Sequence, residues 1–166
     1  IMPSLVGSEM CIRDSKYPER AEAAEKIFDG VNQSDSDLFI IDRNLNLDPK
    51  KFKNVERYLY PSKYLKNLHG PLSHDQVLRL QKLLPLAINL NSVVTSQTMF
   101  ANRAVELQAM GTLVLSNYSA GLNSRYPQIT MLDSEVDTEL FLGTLTDEYL
   151  SLSLIHISEP TRLGMI

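Results

Sequence analysis

The sequence predicts an α/β fold, a Rossmann-like and mainly parallel sheet with helices on both faces, present as one incomplete domain. Short apolar runs alternate along the chain with longer amphipathic stretches, the pattern of strands crossed over by helices. The runs at 37–42, 86–90 and 112–116 have continuous apolar centres, as strands covered on both faces require. Caps and turn residues stand where these segments begin and end.

Residues 17–31 predict an amphipathic helix. Ala21, Ala24, Ile27, Phe28 and Val31 recur at three- and four-residue steps, and Glu19, Arg20, Glu22, Glu25 and Lys26 fall to the polar side. A polar stop at 32–35 precedes the first strand, 37–42. Residues 43–56 are Asn- and Lys-rich and read as a loop with a helical turn; Tyr58, Leu59, Tyr60 and Pro61 follow, then 64–68 as a weak edge strand. Tyr58, Tyr60 and Tyr64 read as packing against the sheet edge. Ser73 with Gln76 three residues on forms a capping box for the next helix. Val77, Leu78, Leu80, Leu83 and Leu84 supply its buried stripe, and Pro85 ends it. The strand 86–90 follows, then a helix over 99–110 that stops at Gly111, the residue that best tolerates a left-handed C-terminal turn. A strand at 112–116, a loop with a helical turn over 117–127, a short strand at 128–132 and a Ser134-capped helix to about 150 complete the order α-β-β-α-β-α-β-β-α.

The two ends of the chain carry a different signal. One stretch of DNA encodes residues 5–15 on one strand and, in another frame, residues 152–162 on the other. The pair resembles the transposase adapter of short-read sequencing libraries, so 1–15 and 152–166 read as adapter-derived and 16–151 as the biological segment. The expectation is that these flanks do not pack, and that the segment is the truncated remainder of a longer protein.

Without the flanks the bulk reading changes. The single cysteine, Cys11, is lost, which leaves no disulfide framework or thiolate zinc site and fits a reducing compartment. Of 16 basic residues Arg13 and Arg162 go, and of 20 acidic residues Glu9, Asp14 and Glu159 go, leaving 14 against 17 and a net charge of −3. A mildly acidic chain has no electrostatic case for gripping nucleic acid by its backbone. No apolar run approaches the roughly 20 residues of a membrane helix. No Gly-rich phosphate loop, dinucleotide fingerprint, nucleophile elbow or metal-ligand spacing is present.

In open α/β sheets ligands bind beyond the carboxyl ends of the strands, which directs attention to the loops after 42, 68, 90 and 116. The loop after 90 is the richest: Asn91, Ser92, Ser96 and Thr98 lead into a helix whose first N–H groups would suit a phosphate. Simple capping of that helix by Ser96 or Thr98 explains the same spacing. Thr98, Asn102 and Glu106 are spaced by four, and Arg103 lies beside them, able to meet a phosphate or to pair with Glu106. A solvated helix face is the plainer alternative. His69 and Gly70 end a strand and could reach the same cleft, although a loop histidine without a carboxylate partner is more often structural. His74 reads as exposed, Asp42 and Arg43 as a turn or salt bridge, and the acidic run 133–139 as a solvated helix start.

The segments 89–92 and 96–116, with the Arg103, Glu106, Gly111 and Thr112 pattern, resemble the nucleotide-sugar half of two-domain (GT-B type) glycosyltransferases, and among them the spore-maturation-type glycosyltransferase-like family. Residues 40–43 and 69–73 are similar to earlier blocks of that family. The resemblance implies a donor site formed by Asn91, Ser92, Ser96, Thr98, Met99, Phe100, Arg103 and Glu106. Glu106 would hold the ribose hydroxyls, and Arg103 with the loop through Thr98 would face the diphosphate. It implies a nucleoside-diphosphate sugar as substrate rather than a bound cofactor or metal, an unknown acceptor, an acceptor domain upstream of Lys16, and a cytoplasmic location. Thr98 departs from the family, since many retaining members carry a glutamate there that contacts the donor sugar. That departure keeps open a second reading, a non-catalytic α/β module that binds a nucleotide or a protein.

Overall fold

The structure is a computed structural model that describes residues 4–7, 18–34, 36–42, 45 and 60–145. Its elements are β1 (Ser4–Gly7), α1 (Pro18–Gln33), β2 (Asp37–Ile41), a 3-10 helix (Ser62–Asn67), β3 (Leu68–His69), α2 (His74–Leu83), β4 (Leu86–Asn89), α3 (Asn102–Ala109), β5 (Leu113–Ser116), α4 (Ala120–Arg125), β6 (Thr130–Met131) and α5 (Glu135–Thr144). The strands form one sheet in the order β3-β2-β1-β4-β5-β6. Every pairing is parallel. This is the doubly wound order, and the chain reverses direction across the sheet between β1 and β4.

Strand alternation divides the interior in two. Leu86 and Ile88 of β4 and Leu113 and Leu115 of β5 face one layer, where Ala24, Ile27, Phe28 and Val31 of α1 and Leu142 of α5 join them. Ala87 and Val114, the intervening positions, face the other layer with Ala104 and Leu107 of α3, Leu122 of α4 and Ile129. A side chain such as Leu107, fully enclosed, contributes roughly 1.5–3 kcal/mol relative to leaving it in water. The alternating apolar runs therefore produce the helix-sheet-helix layers that the sequence predicts.

Several local expectations hold through their predicted chemistry. Ser73 Oγ accepts from the Gln76 amide at 3.4 Å while Gln76 Oε1 accepts from the Ser73 amide at 2.8 Å, closing the capping box. Gly111 has φ +77° and terminates α3. The Thr112 amide donates to Leu107 O at 3.0 Å and the Gly111 amide to Gln108 O at 2.9 Å, the two bonds of a Schellman turn. Ser134 Oγ accepts from the Asp137 amide at 3.0 Å at the start of α5.

Others are corrected. The expected edge strand over 64–68 is mostly the 3-10 helix, with only Leu68–His69 extended. Positions three apart eclipse on a 3-10 helix, so Tyr64 and Asn67 both turn inward. The Tyr64 hydroxyl donates to Asp29 Oδ1 at 2.7 Å, and Asn67 Nδ2 donates to Leu38 O at 3.0 Å. These side-chain bonds to α1 and β2 outweigh the weak strand propensity. The helix expected from 99 begins only at Asn102, because Ser96 Oγ accepts from the Thr98 and Met99 amides and holds that stretch as a turn. The helical turn expected within 117–127 is α4, whereas the strand over 128–132 shortens to Thr130–Met131. The last helix ends at Thr144, and 146–150 lie outside the described residues.

The largest correction concerns the amino-terminal flank. Ser4–Gly7, expected not to pack, is the strand between β2 and β4. Its register pairs Ser4 with Asp37 and Gly7 with Ile40 on one side, and Leu5 with Leu86 and Gly7 with Ile88 on the other. The sheet is thus not confined to residues 16–151. The physical reason is that ladder bonds use backbone groups that every non-proline residue carries, so an extended segment of any origin can satisfy two open strand edges. Residues 8–17, Arg43, residues 46–59 with Tyr58, and the carboxyl-terminal flank lie outside the described residues.

Candidate functional site

The reversal between β1 and β4 is where an open α/β sheet opens a crevice beyond its strand ends. A cleft of about 170 Å³ lies there, lined by Arg20, Leu90, Asn91, Ser92, Val93, Met99, Phe100 and Ala101. Four residues named by sequence, Asn91, Ser92, Met99 and Phe100, come together in it. Its walls are apolar apart from Arg20, Asn91 and Ser92.

The loop after β4 is held by a buried amide network. The Asn91 amide donates to Asn117 Oδ1 at 2.7 Å, and Asn117 Nδ2 returns a bond to Asn91 O at 3.1 Å. Asn91 Nδ2 donates to Ser116 Oγ at 3.0 Å, as does Asn89 Nδ2. Asn91 Oδ1 accepts from the Ala101 amide at 2.9 Å, closing the loop on itself across ten residues. Asn91 and Asn117 are almost fully buried, so these bonds form in a low-dielectric setting where leaving one unmade is costly. Asn89 Oδ1 and Ser119 Oγ are buried beside the same network, with no hydrogen-bond partner among the described residues.

The start of α3 is bare of side-chain caps. Its N-cap is Ala101, which makes no side-chain cap bond, so neither Ser96 nor Thr98 caps the helix. Ala101 itself lines the cleft, so the positive end of the helix begins at its wall. Met99 and Phe100 carry the apolar side of that wall. Phe100 is braced edge-on by Tyr126 at 5.6 Å between ring centroids, with the Arg125 guanidinium 5.7 Å from its ring.

The remaining predicted residues stand elsewhere. Ser96 and Thr98 bond to each other's turn and do not line the cleft. Thr98 is outside α3, so only Asn102 and Glu106 keep the four-residue alignment on one helix flank. Glu106 is exposed. Glu106 lies five residues beyond Ala101, a rise of about 7.5 Å, and helical side chains lean back toward the amino terminus. Arg103 is half-buried at the base of α3. His69 stacks on Phe39 at 5.3 Å at the end of β3, and Gly70 follows it; β2 and β1 separate that edge from β4, so neither reaches the cleft.

Arg20 is the residue that sequence reasoning missed. It is only 9% exposed, and its Nη1 donates to Ser92 Oγ at 3.3 Å. The signal was in the spacing: Arg20, Ala24, Ile27 and Val31 fall at i, i+4, i+7 and i+11, so the arginine lies in line with the buried stripe of α1. Its charge assigned it to the polar side.

A second hollow of about 260 Å³ lies beside the cleft, lined by Glu19, Glu22, Ala23 and Lys26 of α1 with Val94, Asn117, Tyr118, Leu132 and Asp133. Its charges are largely engaged. Lys26 Nζ lies 2.8 Å from Glu22 Oε1, and this hydrogen bond and charge hold the Glu22 carboxyl below the usual carboxylate range. Asp133 Oδ1 accepts from the Tyr118 amide at 3.1 Å. Among the described residues no group of three or more His, Cys, Asp or Glu could hold a metal ion, and no helix is long and apolar enough to cross a membrane. No protein-family model matches the chain, and no curated protein matches it.

Proposed function

We propose that this chain is the donor-binding domain of a glycosyltransferase and takes a nucleoside diphosphate, as part of a nucleotide sugar, in the cleft beside β4. The observation that carries the reading is the position of the cleft. It opens at the reversal of the sheet, between a buried arginine and an uncapped helix start. A guanidinium and a helix amino terminus are two of the means by which proteins hold phosphate oxygens. The apolar wall of Leu90, Val93, Met99 and Phe100 offers a surface for the flat face of a base or sugar.

The volume limits what the cleft takes. Sites that enclose a drug-sized ligand run to about 300–1,000 Å³. A cleft of about 170 Å³ therefore accepts part of a nucleotide, and the rest lies along the α3 flank that carries Asn102 and Glu106. In this reading Arg20 and the α3 start face the diphosphate, and Glu106 accepts the ribose hydroxyls. Transfer of the sugar would require an acceptor domain besides this one, so the chain binds the donor and does not turn it over.

Titration of UDP and GDP into the 166-residue chain by calorimetry tests the reading. One of the two binds saturably, and Glu106→Ala weakens that binding by about ten- to a hundredfold, the loss expected when one or two hydrogen bonds to a charged group are removed. Absence of saturable binding by both nucleotides overturns the proposal. Equal affinity of the variant removes Glu106 from it.

A further inference from the structure

We infer that Gly121, in the first turn of α4, is a positioning residue for the cleft: it lets α4 press against the loop after β4 and so sets where Met99, Phe100 and Ala101 stand. The inference rests on the donor-site reading and adds to it a residue that touches no part of the cleft. A Cβ at Gly121 would lie 3.0 Å from Ser96 O and 3.1 Å from both Gln97 C and Gln97 O. All three are backbone atoms, which cannot rotate aside as a side-chain tip would. The neighbouring Ala120 amide donates to Val94 O at 2.8 Å, so the approach is anchored one residue earlier.

The loop is then pinned at three places. Asn91 Oδ1 holds the Ala101 amide at its far end, Ala120 holds Val94 near its start, and α4 packs on Ser96 and Gln97 between them. Ser96 relays the last contact forward, because its Oγ accepts from the Thr98 amide at 3.3 Å and the Met99 amide at 3.2 Å. A shift of a few tenths of an ångström at Ser96 is thereby delivered to Met99 and Phe100, two walls of the cleft. Binding sites tolerate such displacement poorly, since oriented contacts fail over distances of this order.

The experiment compares glycines. Gly121→Ala is expected to weaken UDP or GDP binding about tenfold with little change in melting temperature, and to shift the amide NMR signals of Thr98, Met99 and Ala101. Gly30→Ala is the control for stability alone. A Cβ there would meet Glu135 O and Thr138 Cβ, both at 2.5 Å, between α1 and α5 and away from the cleft. It should lower the melting temperature and leave nucleotide affinity and the three amide signals in place. Ala120→Pro is the second variant, for the case that Gly121→Ala does not fold. Proline is tolerated at the first position of a helix and removes the bond to Val94 O; it should weaken binding and move the same signals.

Unmoved amide signals in Gly121→Ala, or wild-type affinity in either loop variant, would overturn the inference. So would an equal loss of affinity in Gly30→Ala. The ligand-free amide signals decide the point even if the wild-type chain binds neither nucleotide, an outcome that would overturn the donor-site reading alone.

Discussion

Two hollows lie back to back at the same rim of the sheet, and adjacent residues of the chain serve opposite ones. Arg20 and Val93 line the cleft; Glu19 and Val94 line the larger hollow. The larger one carries more charge, yet its Glu22 is exposed and paired with Lys26, and its Asp133 is bonded to a backbone amide. Among the described residues the smaller one has one cation in its lining, Arg20, set among apolar walls at the reversal of the strand order. Charge in water is cheap and weak, whereas charge withdrawn from water acts strongly on whatever it meets. Number of ionisable groups and volume therefore point to one hollow, and burial and position to the other.

Loss of the wall between them should have the largest effect. Asn91→Ala removes the acceptor for the Ala101 amide and the donor to Ser116 Oγ, leaving buried polar groups unmatched. The expected cost is about 2–3 kcal/mol, a fall in melting temperature of roughly 4–12 °C by scanning calorimetry. An unchanged melting temperature would show that the network is ornamental to the fold.

The neighbouring pair on α1 sharpens the contrast next. Arg20→Gln should reduce nucleoside diphosphate affinity about tenfold or more, since charge-assisted bonds to phosphate contribute about 1.5–3 kcal/mol. Glu19→Gln should leave the affinity within about twofold, because it changes a charge on the other side of the wall. If both variants bind alike, the two hollows form one site and the comparison fails.

The smallest effect belongs to Glu22. Its carboxyl is lowered by the hydrogen bond and charge of Lys26, so the stabilisation it brings is present above the ordinary carboxylate range and is lost as pH falls through the lowered value. Both side chains are largely in solvent, which screens the pair. Glu22→Gln should therefore melt close to wild type at neutral pH, with any difference vanishing in acid. A clear drop at neutral pH would mean that the pair matters to the α1 face after all.

Much of this architecture was legible in the residues, and the misses share one cause. The runs at 86–90 and 112–116 have apolar centres, and each lands inside the sheet, paired on both sides, with its side chains divided between two cores. The helix after 73 and the turn at Gly111 were readable because their capping chemistry is local. Four of the eight residues expected around the loop after β4, Asn91, Ser92, Met99 and Phe100, meet in one cleft because they flank a short loop whose ends must come together. His69, Ser96 and Thr98 stand apart from that cleft, which the strand order and the turn that Ser96 builds decide.

Sequence alone determined what depends on neighbours along the chain: the alternation of apolar runs and amphipathic helices, the caps, the glycine stop, and the region that carries the loop after β4. Tertiary structure alone decided what depends on neighbours in space. It put Ser4–Gly7 between β2 and β4, where backbone pairing accepts an extended segment without regard to its side chains. It brought Asn117 under Asn91, twenty-six residues away, and turned Arg20 inward against Ser92. Periodicity is a property of the chain, but the partner of a buried polar group exists only once the sheet is assembled, and that partner decides which residue of a stripe becomes a site.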